Sequence, residues 1–153
     1  MNLFVYGTLC FPAVLAAVSA LAPKAVPAEL PDFERRPVRG EVYPAIVPRR
    51  ESRVEGMFLA GLPRHRLPLL DAFEGREYRR EAHVVHLADG RRPVAWCYVW
   101  APTRRHELAP GPWHMDAFER DALHGYLRRC RRLGRDYRRG RLDAGARVRR
   151  GGR

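Results

Sequence analysis

The chain has 153 residues, 46% of them hydrophobic, enough for one globular domain with a real core, and no apolar run long enough to span a bilayer as a helix. Its net charge of +12 looks like a nucleic-acid signal until it is located: residues 128–153 carry twelve Arg against Asp136 and Asp143, a net +10, which leaves only +2 for residues 1–127. The three cysteines, Cys10, Cys97 and Cys130, are far apart with no C-x-x-C, which argues against a disulfide framework or zinc site and points to a reducing cytoplasm; the N-terminus lacks the basic lead and cleavage site of a signal peptide.

Residues 2–6 form a short β-rich run, read as a buried strand. Pro12 suits the first turn of a helix over the following apolar run, with Val14, Leu15, Val18 and Leu21 on one face. Pro23, Pro27 and Pro31 then mark an extended connection. Residues 38–43 and 53–59 read as strands, and Gly61 and Pro63 end the second. Residues 64–73 fit a short helix with Leu67, Leu70 and Phe73 on one side. A strand over 80–87, the turn signal Asp89-Gly90 and a returning strand over 94–100 complete a hairpin.

From Trp113 a long helix is expected, because Phe118, Ala122, Tyr126 and Cys130 recur every fourth residue. Gly134 is its expected end. The elements together predict an α+β fold: a small mixed or barrel-like sheet of about five to six strands, flanking helices and a long C-terminal helix. Residues 1–134 would form the domain. Residues 135–153 would be an Arg/Gly-rich tail, partly disordered, whose plain reading is a solvated segment; nucleic-acid binding through it is the lesser alternative.

Two segments carry candidate chemistry. Tyr6-Gly7-Thr8-Leu9 joins the first strand to the first helix, a place where backbone N–H groups turn into a pocket and can hold an anion. Gly7 would let a substrate approach the main chain, and Tyr6 and Thr8 add hydroxyls. Asp71-Ala72-Phe73-Glu74-Gly75 sets one carboxylate at the end of an apolar helix, before a glycine that permits a sharp turn. Partial desolvation there would raise the Glu74 pKa towards that of a general base. The pattern by itself also allows Glu74 to be a loop residue paired with Arg76 or Arg79.

Other mechanisms lack their residues. Ser19 and Ser52 are the only serines and neither lies in G-x-S-x-G; no P-loop or dinucleotide fingerprint is present. His83 and His86 fall on opposite faces of the predicted strand, a poor pair of metal ligands. Cys10 has no evident histidine partner and reads as a packed thiol. Trp96, Tyr98 and Trp100 read as core and strand-pair aromatics, with Tyr98 also able to line a pocket.

Val5-Tyr6-Gly7-Thr8-Leu9, Gly40-Glu41-Val42-Tyr43-Pro44-Ala45, Leu70-Asp71-Ala72-Phe73-Glu74-Gly75 and Glu77-Tyr78-Arg79-Arg80 occur in the order and rough spacing of one family. Over residues 1–127 the chain resembles the γ-glutamylcyclotransferase-like family, in its AIG2-like branch. The resemblance implies a compact barrel-like fold with one pocket. It implies that Tyr6, Gly7, Thr8 and Leu9 hold the substrate, that Glu74 accepts a proton, and that Tyr78 borders the pocket. A γ-glutamyl amine or amino acid would cyclise to 5-oxoproline, with no metal, no cofactor and no membrane partner. The alternative is a non-catalytic small-molecule-binding protein of the same fold.

Overall fold

Six strands form one mixed sheet in the computed structural model, which describes residues 1–141. They are β1 (Leu3–Val5), β2 (Ala25–Pro37), β3 (Pro44–Leu59), β4 (Tyr78–Val84), β5 (His86–Leu87) and β6 (Val94–Trp100). Their order across the sheet is β4-β6-β1-β3-β2-β5. Only the β1–β6 pairing is parallel among the named strands, and the sheet curls into a half-barrel. Four helices flank it: α1 (Pro12–Ser19), α2 (Leu67–Glu74), α3 (Met115–Asp121) and α4 (Leu123–Arg138). No described helix is long and apolar enough to cross a membrane.

Period-two alternation divides the core between the two faces of the sheet. Phe4, Tyr6, Phe58, Cys97 and Val99 point into the curl, where they meet Leu30 and Ile46. Leu3, Val5, Leu59 and Tyr98 point the other way, against Val14 and Val18 of α1, Leu70 of α2 and Phe118, Tyr126 and Cys130 of the C-terminal helices. β1 is therefore buried on both faces, its residues no more than 4% exposed. Gly56 on β3 makes this close packing possible, since a Cβ there would lie 2.2 Å from the Val5 carbonyl oxygen.

Several expectations are corrected. The proline-marked connection is most of β2, which pairs with β3 along nearly its whole length. It meets β5 only at Ala28 and Glu29, so its outer edge runs largely without a ladder and tolerates residues that lack an N–H. Residues 38–43 are the reversal between β2 and β3 rather than a strand: Val38 N–H donates to Tyr43 O, and Gly40 takes a φ of +73°. The strand over 80–87 is two, because Val85 breaks the run between β4, paired with β6, and β5, paired with β2.

The long C-terminal helix is broken at Ala122, at φ −124° and ψ −27°, into α3 and α4. Gly134 does not end it; α4 continues to Arg138. A Cβ on Gly134 would sit 2.4 Å from the Ala17 carbonyl oxygen, so this glycine lets α4 cross α1 at close range. The expected disordered tail thus begins as helix, and its residues 142–153 lie outside the described residues.

Candidate active site

Glu74 is the last residue of α2. Pro68 sits in the first turn of that helix, where its missing N–H costs nothing, and Leu69, Leu70 and Ala72 bury its inner face. Gly75 ends it with φ +82° and ψ −178°, a conformation that favours glycine, while its N–H donates to Asp71 O at 2.9 Å. Asp71, one turn before Glu74, ties the helix end to the sheet. It accepts Arg80 Nη1 at both oxygens, 2.7 and 2.6 Å, and the Tyr98 hydroxyl at 2.8 Å.

Beyond β1, Tyr6 and Gly7 lead into a 3₁₀ turn over Thr8–Cys10, closed by Cys10 N–H to Gly7 O at 3.0 Å. Thr8 and Leu9 open that turn, so their N–H groups have no acceptor within it. The Tyr6 hydroxyl donates to Tyr98 O at 2.6 Å, and the Thr8 hydroxyl donates to the Tyr126 oxygen at 3.2 Å. A packing reason for Gly7 is also present: a Cβ would meet Pro44 Cγ at 2.8 Å, so the proline ring fills that space. Tyr78 holds the same proline, its hydroxyl donating to Pro44 O at 2.7 Å. Its ring stands edge-on to Trp100, 4.9 Å between centroids.

A cavity of about 1050 Å³ brings these segments together. Tyr6, Gly7, Thr8 and Leu9 line it, and so do Glu74 and Tyr78, although β4 and α2 lie some seventy residues from the loop in sequence. Tyr43, Pro44, Tyr98 and Tyr126 line it as well, and charged residues stand on its wall too, among them Glu41, Glu77, Arg104 and Arg129. Sequence reasoning had Tyr98 only as an option and Tyr126 only as a core residue. Their signal, aromatic residues at inward positions, is the same for core and for pocket.

The half-buried Glu74 carboxyl faces this cavity, and no described residue donates a hydrogen bond or forms an ion pair with it. Burial first, and the negative charge of Asp71 second, push it up to about 8. Burial also holds the phenols of Tyr6, Tyr78, Tyr98 and Tyr126 protonated, well above the usual tyrosine range, with the charge of Glu74 adding to the effect. Neutral hydroxyls therefore surround the Glu74 carboxyl, whose proton affinity is high. Burial likewise raises the thiols of Cys10, Cys97 and Cys130 to about 12, so none is a ready thiolate. Among the described residues no cluster of three His, Cys, Asp or Glu side chains is placed to hold a metal ion.

Residues 3–115 match the family model described as gamma-glutamyl cyclotransferase, AIG2-like. The chain belongs to this family. AIG2-like protein D of Arabidopsis thaliana is 35% identical over 129 residues, 83% of this chain and 84% of that protein. AIG2-like protein A of the same plant is 32% identical over 78% of this chain and 72% of its own length. The solution structure of an Arabidopsis thaliana protein superposes with a TM-score of 0.66 at 30% identity, covering 83% of this chain and 85% of that one. A structure titled gamma-glutamyl cyclotransferase superposes with a TM-score of 0.59 over 85% of each chain; at 17% identity that likeness concerns the fold.

Proposed function

We propose that the chain is a γ-glutamylcyclotransferase in which Glu74 is the general base. The observation that carries this reading is one carboxyl, raised to about 8, in a single cavity with the open turn that follows Tyr6. A γ-glutamyl amide carries its own nucleophile, the α-amine, which is an ammonium at neutral pH. An ammonium entering beside Glu74 supplies the counter-charge that this carboxyl lacks and draws the carboxylate form. Proton transfer to Glu74 then frees the amine.

The amine nitrogen bonds to the γ-carbonyl carbon and closes a five-membered ring. The N–H groups of the turn bind the substrate carboxylate or the oxyanion that develops at the γ-carbonyl. Collapse breaks the original amide bond as Glu74 returns its proton to the departing nitrogen; the carboxylate so restored then takes the ring nitrogen's second proton and passes it to the product amine, which leaves as an ammonium. The products are 5-oxoproline and an amine or amino acid, with no water, metal or cofactor consumed. Holding the substrate folded back on itself can supply roughly 7–11 kcal/mol of the barrier.

The test is a panel of γ-glutamyl amides assayed for 5-oxoproline. At least one should turn over. Glu74→Gln should then lower kcat by about 10²–10⁴-fold, the usual share of general base catalysis, while keeping the fold. A panel with no turnover leaves a binding protein and defeats the proposal.

A further inference from the structure

Arg35 on β2 reaches the substrate loop from outside the cavity. Its Nη1 donates to the Tyr6 carbonyl oxygen at 2.6 Å. Its guanidinium carbon lies 5.4 Å from the centre of the Trp113 ring, and the Trp113 indole N–H donates to Val42 O at 2.9 Å. The side chain is therefore clamped between the loop and an aromatic plate that is itself fixed to the β2–β3 reversal. None of this lies on the cavity wall, of which Tyr6 and Gly7 are members and Arg35 is not.

The Tyr6 carbonyl and the Gly7 N–H belong to one peptide group. The group is trans, since the described chain contains no cis peptide bond, so the two point in opposite directions. A cation held on the oxygen draws the nitrogen lone pair towards it and leaves the N–H a stronger donor on the far side. We propose that Arg35 is a positioning residue that strengthens the Gly7 N–H as an anion donor by holding a permanent positive charge on the Tyr6 carbonyl. The proposal rests on the cyclotransferase reading for its catalytic consequence, though not for the polarisation itself. Arginine suits the task because a guanidinium stays charged when half-buried and stacks on an aromatic ring.

A tether and a charge are separable. Arg35→Gln keeps a hydrogen-bond donor and removes the charge; Arg35→Lys keeps both. On a γ-glutamyl amide that the wild type turns over, Arg35→Gln should lower kcat/KM about tenfold or more, short of the full loss of an oxyanion donor, while Arg35→Lys stays within about threefold. The backbone ¹⁵N resonance of Gly7 should shift in Arg35→Gln and return towards its wild-type position in Arg35→Lys. Equal rates and equal Gly7 resonances in the two variants would overturn the proposal, because a mere tether predicts that result. Should the Gln chain fail to fold, the Lys chain decides alone: kcat/KM below about a third of wild type there overturns it. If no amide turns over in the wild type while Gly7 still follows the charge, the cyclotransferase reading fails and the polarisation by Arg35 stands.

Discussion

Arg80 holds Asp71 by both carboxylate oxygens, at 2.7 and 2.6 Å, and so fixes the end of the helix on which Glu74 stands. The pair is partly exposed, its side chains at 27% and 39%, so its net stabilisation is small. The negative charge of Asp71 also helps to raise the Glu74 carboxyl. Asp71→Asn should cost about 1 kcal/mol of stability, read by urea unfolding. It should also move the alkaline-going rise of kcat/KM to lower pH. A rise that stays in place would show that Asp71 is only an anchor.

The same rise is itself a prediction. The proposed reaction requires the free protein to present Glu74 as carboxylate, and burial places its protonation at about 8. Activity should therefore be low in mildly acidic buffer and climb through pH 8 in a kcat/KM profile. A profile already flat from pH 5 upwards would mean that the carboxyl titrates in its ordinary range.

Glu74 should also weaken the fold it serves. Its protonation lies above the ordinary value of 4.5, so at intermediate pH the folded chain keeps a proton that the unfolded chain has lost. Its penalty is absent below the unfolded value and grows as pH rises through the folded one. Glu74→Gln removes this dependence. At pH 9 the Gln chain should be more stable than wild type by about 2–4 kcal/mol, with the difference gone near pH 4, by denaturant titration at the two pH values. Equal stabilities at pH 9 would place the carboxylate in water.

Two glycines of α4 should respond to alanine with opposite signs. At Gly125 the nearest obstacle to a Cβ is the flexible end of Arg128, 3.9 Å away, so Gly125→Ala should stabilise by about 0.5–1 kcal/mol through helix propensity. At Gly134 the obstacle is backbone, the Ala17 carbonyl oxygen at 2.4 Å. There the helices must separate, and a net loss of about 1–3 kcal/mol is expected despite the same propensity gain. Thermal melts of the two variants check both signs.

What the sequence made legible follows from which signals are local. The aromatic run Val94–Trp100, the Asp89-Gly90 turn and Pro12 at a helix start each depend on neighbours in the chain, and each element formed where expected. The acidic residue at the end of α2 was legible for the same reason. β2 was hidden because its prolines are tolerated along an edge that only the sheet order reveals. Gly134 reads as a stop in one dimension and is a crossing point in three. Arg35 carries no motif at all; its meaning lies in a carbonyl twenty-nine positions earlier.

The reversal at residues 38–43 delivers Tyr43 and Pro44 to the cavity from a hairpin bend, while Glu74 and the Tyr6–Leu9 segment come from a helix terminus and a strand terminus seated on the core. Bends of this kind accept insertions and exchanges that packed elements refuse. Exchanges in that bend would alter one wall of the cavity while the helix end that carries Glu74 keeps its own packing.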